Sequence, residues 1–115
     1  MNAHSHRHVR IDTSVVQAKL WHEAGISALA SDRLEDAVRS FRNAVRLNPR
    51  HDAAWNDLGV VMEALGNPFE AMKCYRQVLD IRPDHAQARA NLGMLWFQMK
   101  AASLLSRQAF SSIPA

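Results

Sequence analysis

At 115 residues, with 48% hydrophobic and 22% charged side chains, the chain has the size and composition of one small soluble domain. Only 4 glycines and 4 prolines are present, too few turn formers for a small all-β fold, and the lone cysteine, Cys74, excludes a disulfide framework and a cysteine-based zinc site. The formal charge of +3 is unevenly spread: residues 1–17 carry +1, 18–51 carry +2, 52–85 carry −3 and 86–115 carry +3, which is not the continuous basic surface that nucleic acid requires.

The N-terminal residues 1–14 alternate His4, His6 and His8 with Ser5 and Arg7 and read as a disordered polar leader rather than a metal site. They contain no apolar stretch of signal-peptide type, and no run in the chain approaches the ~18 apolar residues of a membrane span. The expected location is therefore the cytoplasm. From residue 15 onward the apolar spacing predicts helices over 15–30, 34–47, 52–65, 68–81, 86–99 and 102–112. Leu20, Trp21, Ala24, Ala28 and Leu29 form the apolar stripe of the first. Leu34, Ala37, Val38, Phe41, Ala44, Val45 and Leu47 form that of the second. Ser31-Asp32-Arg33 separates the two, and Asp32, Glu35 and Asp36 suit a helix start through the macrodipole. Pro49 ends the second helix because proline cannot continue one and biases Asn48 toward extended backbone. Gly66-Asn67-Pro68 is the next turn, with glycine for a left-handed C-terminus, asparagine as a cap and proline for the first helical position. Arg82-Pro83-Asp84 closes the fourth helix, and Asp84 is placed to cap the fifth.

These elements repeat. Trp21 and Trp55 stand 34 residues apart, as do Gly25 and Gly59, Ala37 and Ala71, Phe41 and Tyr75, Pro49 and Pro83, and His51 and His85; Leu92, Gly93 and Met94 begin a third copy. A glycine in a helix interior costs about 1 kcal/mol relative to alanine. Gly25, Gly59 and Gly93 in register therefore predict close approach of a neighbouring helix, with Trp21, Phe41, Trp55 and Tyr75 as aromatic plugs. Each unit is expected to be an antiparallel helical hairpin.

In these residues the sequence resembles the tetratricopeptide repeat (TPR) family. Trp21, Ala24-Gly25, Ala28, Ala37, Phe41, Ala44 and Pro49 make one copy, and Trp55, Leu58-Gly59, Met62, Ala71, Tyr75, Val78 and Pro83 make a second. Arg89, Leu92-Gly93 and Trp96 begin the third. The resemblance implies an all-α fold, a right-handed superhelical stack of hairpins with two full repeats, a partial third and a C-terminal capping helix. Repeats are expected at about 18–51, 52–85 and a degenerate 86–115. After Phe97 the pattern fails, and Ala101 to Ile113 reads as a degenerate second helix or a capping helix over the last hairpin, the rival reading being a fragment of a longer array.

The resemblance also implies a non-catalytic scaffold or adaptor that holds a peptide or helix of another protein in a concave groove lined by the first helix of each unit. The residues expected there are Lys19, His22, Ile26 and Leu29, then Asn56, Val60 and Glu63, then Ala90, Met94 and Phe97. The column Ile26, Val60, Met94 is wholly apolar, and His22, Asn56 and Glu63 would orient the ligand by hydrogen bonds. The carboxylate clamp of the chaperone-tail-binding subclass would fall on His22, Ile26, Asp57, Gln87 and Asn91, none of which matches it. Self-association into an oligomer is the second reading. An anion or RNA binder is the third, through Arg39, Arg42, Arg46 and Arg50, which the spacing places on one face of the second helix. Neither a cofactor nor a metal is implied: no phosphate loop, nucleophile set or two-His metal pair is written in the chain.

Overall fold

The computed structural model describes residues 12–111, with side chains through residue 108; the three leader histidines lie outside the described residues. Five helices follow in order: α1 (Thr13–Ala30), α2 (Leu34–Leu47), α3 (Asp52–Ala64), α4 (Pro68–Ile81) and α5 (Ala86–Ser111), with no strand among the described residues. The chain divides into two compact units, one ending at His51 and the other beginning at Asp52.

In the first unit α1 and α2 form a hairpin. Asp12 caps α1 by accepting from the Ser14 backbone N–H at 3.1 Å. The turn is made by Asp32, whose φ of 60° lies in the left-handed region, and the Arg33 N–H closes back on the Ala28 carbonyl at 2.8 Å. Aspartate visits that region more readily than most residues, so Asp32 belongs to the turn; Glu35 and Asp36 sit in the first turn of α2. Ala37, Val38, Phe41, Ala44 and Val45 are buried as the α2 stripe predicts. The stripe expected of α1 is corrected: its buried positions are Ala18, Gly25 and Ala28, while Leu20 and Trp21 are exposed. Small residues on α1 let α2 approach closely, and the larger side chains turn outward.

The second unit repeats the hairpin with α3 and α4 and adds α5. Gly66, 34 residues after Asp32, takes the same left-handed conformation at φ 76°, and the Asn67 N–H closes on the Met62 carbonyl at 2.8 Å. Asn67 occupies the cap position without a side-chain bond, and Pro68 is the first residue of α4. Asn48 and Arg82, each before a proline, end their helices in matching extended conformations. An ion pair of 3.0 Å between Arg82 and Asp52 joins the two ends of the α3–α4 hairpin. The cap on α5 comes from His85 rather than Asp84: its Nδ1 accepts from the Ala88 N–H at 3.1 Å.

The glycines explain the hairpins. A Cβ on Gly25 would lie 2.4 Å from the Phe41 ring, and one on Gly59 would lie 2.5 Å from the Tyr75 ring. Phe41 and Tyr75 are fully buried, each contributing on the order of 2–3 kcal/mol by burial, which offsets the cost of its glycine. Gly93 differs, because nothing lies within 4 Å of where its Cβ would be. The reason is that the turn expected between the fifth and sixth helices does not form. No break separates 86–99 from 102–112; α5 runs straight through as one helix of 26 residues. Position 100, equivalent to Asp32 and Gly66, is a lysine followed by two alanines, all strong helix formers with no left-handed preference. Among the described residues no second helix folds back over Gly93.

Candidate functional site

The expected groove residues fall into three groups. In the first unit Lys19 and Ile26 are exposed on α1, and His22 and Leu29 are half-buried. The His22 ring lies 5.7 Å from that of Phe41 and 4.7 Å from that of His51, centroid to centroid, so it packs within its own hairpin. On α3 Val60 is half-buried, and the other two expected residues have internal partners. Asn56 is only 2% exposed, and its Oδ1 accepts from Asn91 Nδ2 at 3.3 Å, a bond that ties α3 to α5. The Glu63 carboxylate accepts from the Tyr75 hydroxyl, which is held protonated well above the usual phenol range, first by burial and then by that bond. The Asn56 bond thus crosses from α3 to α5, and the half-buried Glu63 spans the α3–α4 hairpin while also lining a cleft with Leu95 and Met99 of α5.

The α5 residues are different. Ala90, Met94 and Phe97 are exposed, Met94 at 59% and Phe97 at 64%. They continue into a seam the sequence reading missed: Ala90, Met94, Phe97, Ala101, Leu104 and Gln108 are spaced alternately by four and three residues, the period that keeps one helix face turned toward a partner helix. Leu104 is 51% exposed, and Leu105 flanks it, also exposed. The opposite face of α5 is the packed one, through Ala88 and Leu95. Seam and vacancy coincide, since Gly93 lies beside Met94 on the same uncovered side. The legible signal was the four-three spacing carried through residues 100–102 without a turn residue.

A cleft of about 460 Å³ opens between α4 and α5, lined among others by Phe69, Met72, Trp96 and Met99 and edged by Lys73, Arg76 and Lys100. The Lys100 ammonium lies 5.9 Å from the centre of the Trp96 ring, within cation–π range. Lys73 pairs with Glu70 at 3.4 Å.

The arginine face of α2 is less uniform than its spacing implies. Arg39 is paired with Asp36, and Arg46 donates to Asn43 Oδ1 at 3.0 Å. Arg42 is exposed on the same helix, but Arg50 lies past the end of α2, where its backbone N–H donates to Asn48 Oδ1 at 3.2 Å. The four do not form one helical stripe. Among the described residues no three His, Cys, Asp or Glu side chains converge as metal ligands, and no helix is long and apolar enough to cross a membrane.

Hairpins closed by an aromatic ring against a helix glycine, repeated every 34 residues, define an all-α helical-repeat protein of the interaction type. The sequence model of the tetratricopeptide repeat matches residues 22–86, and the chain belongs to that family. Two crystal structures of MamA, a tetratricopeptide-type protein, are similar in fold. One has a TM-score of 0.72 at 21% identity over 76% of this chain and 50% of its own. The other has a TM-score of 0.68 at 18% identity over 89% of this chain and 61% of its own. The chain thus spans 50% to 61% of the length of those proteins. No curated protein matches it in sequence.

Proposed function

We propose that this chain is a non-catalytic interaction module, a scaffold or adaptor of the cytoplasm, that holds a helix or peptide of another protein against the open side of its third repeat. One observation carries the reading: Gly25 and Gly59 are each sealed by an aromatic ring, whereas Gly93 and the apolar residues around it are uncovered. A face built to receive a helix and lacking one is a docking surface by the same packing that forms the hairpins. Met94 and Phe97 are the apolar anchors, with Ala90 admitting close approach. Val60 on α3 supplies a half-buried groove position in the same unit.

Affinity capture from the native cell tests this, comparing wild type with the double variant Met94→Glu, Phe97→Glu. Both positions are exposed, so the variant should fold with an unchanged circular dichroism spectrum and lose the captured partners. Recovery of the same partners by both proteins overturns the assignment of α5. A second variant, Val60→Glu, reports on the groove position of α3.

A further inference from the structure

We propose that the occupant of the α5 seam is an acidic amphipathic helix, which deepens the docking reading above and rests on it. Residues 86–111 contain Arg89, Lys100 and Arg107 and no aspartate or glutamate. The intervals of eleven and seven residues each return to within about 20° of the same helix azimuth, so the three cations share one edge. All three are exposed. That edge borders the apolar seam of Met94, Phe97, Ala101 and Leu104. Beyond it Arg76, at the rim of the cleft against α4, extends the positive field, while Lys73 there is paired with Glu70.

From Ala90 to Gln108 the seam runs roughly 27 Å at 1.5 Å per residue, about five helical turns, which is the footprint of a helix and not of a single side chain. The small residues Ala90, Gly93 and Ala101 are interspersed with the large Met94, Phe97 and Leu104, which leaves recesses beside the knobs for side chains of a facing helix. The best complement carries leucine-like residues at four-three spacing and carboxylates along the flank that meets Arg89, Lys100 and Arg107. A second copy of α5 satisfies the apolar half of this requirement and fails the other. It brings no carboxylate, so self-pairing aligns like-charged edges without counter-charge.

The probe is a synthetic helical peptide of about 21 residues, leucine at four-three spacing with glutamate on its flanks, together with a control in which every glutamate is lysine. Fluorescence anisotropy with the full chain is expected to show the acidic peptide binding at least tenfold more tightly than the control. Raising sodium chloride from about 0.1 M to about 1 M contracts the Debye length from ~10 Å to ~3 Å and should weaken the acidic peptide at least tenfold. Lys100→Gln with Arg107→Gln should remove most of the preference, and Phe97→Glu should remove binding of both peptides; the circular dichroism of each variant should match wild type. Equal binding of the two peptides, abolished by Phe97→Glu, overturns the charge selection and leaves the docking face standing. Binding of the acidic peptide that Phe97→Glu does not touch overturns both. No binding of either peptide overturns the acidic helix. A concentration-dependent dimer in light scattering, dispersed by Phe97→Glu, assigns the seam to a second copy and overturns it as well.

Discussion

Gly59→Ala and Gly93→Ala are the same chemical change on two helices of one unit, and the structure predicts opposite signs. In an ordinary helix interior the substitution stabilises by about 1 kcal/mol, because alanine loses less backbone entropy than glycine. At Gly93 nothing lies within 4 Å of the added methyl, so that gain should appear undiminished. At Gly59 the methyl would lie 2.5 Å from Tyr75 Cε1 and 2.9 Å from Cδ1 and Cζ. The ring is fully buried and fixed at its hydroxyl by Glu63, so it cannot swing away, and overpacking of this kind costs about 1–3 kcal/mol. Toward the upper end of that range the net loss is about 1–2 kcal/mol, and the two variants should differ by about 2–3 kcal/mol. Urea unfolding followed by circular dichroism at fixed salt measures this as a shift in midpoint at constant slope. Replacing Tyr75 with leucine in the Gly59→Ala background should recover part of the loss, since the two positions share one contact. If Gly59→Ala is as stable as Gly93→Ala, the ring-against-glycine account of the hairpins fails.

Tyr75 is the sole tyrosine, so its titration can be read directly from phenolate absorbance. Burial and Glu63 raise its pKa, so the unfolded chain releases this proton first as pH climbs past about 10, and stability should fall from there upward; a native phenol titrating normally near 10 refutes this. Tyr75→Phe should abolish that alkaline component of the loss while costing on the order of 1 kcal/mol at neutral pH, measured by urea unfolding. Phe97→Ser should change stability by less than about 0.5 kcal/mol because the ring is already exposed, whereas Phe41→Ala should cost about 3–5 kcal/mol, both by urea unfolding. Replacing Lys100, Ala101 and Ala102 with Gly, Asn and Pro copies the Gly66-Asn67-Pro68 turn into α5. Spin labels at residues 90 and 108 should then move from about 27 Å apart to roughly 10–15 Å as the helix folds back, and an unchanged distance refutes the account of why α5 is straight.

The hairpins were legible because their physics is local and repeated. Gly25 with Phe41 and Gly59 with Tyr75 keep one offset, and each proline ends a helix wherever it falls. On α1 periodicity locates an amphipathic face without saying which of its residues is small enough to sit against a neighbour; Ala18, Gly25 and Ala28 are, and Leu20 and Trp21 are not. Asn56 was placed in the groove by its column, but whether an amide faces water or a second amide depends on Asn91, 35 residues away, and no spacing rule carries that. The schedule of the repeat also concealed the fate of α5. It predicts a turn at residue 100, whereas the local residues Lys100, Ala101 and Ala102 favour helix, and local preference prevailed because no partner helix compensates for bending the chain there.

That outcome ties the fold to the proposed site. Had residue 100 been glycine, the second half of α5 could have returned across Gly93 and buried its own Leu104 against the first half, as Tyr75 is buried against Gly59. A continuous helix forgoes that burial, leaving several large apolar side chains in water, each worth on the order of 1.5–3 kcal/mol when fully covered. The same uncovered area is the driving force available to an incoming helix, and it costs little rearrangement because α5 is already straight and its face already formed. Apolar area alone would select any greasy helix, so selectivity must come from what borders it. On α5 the bordering charges are all of one sign.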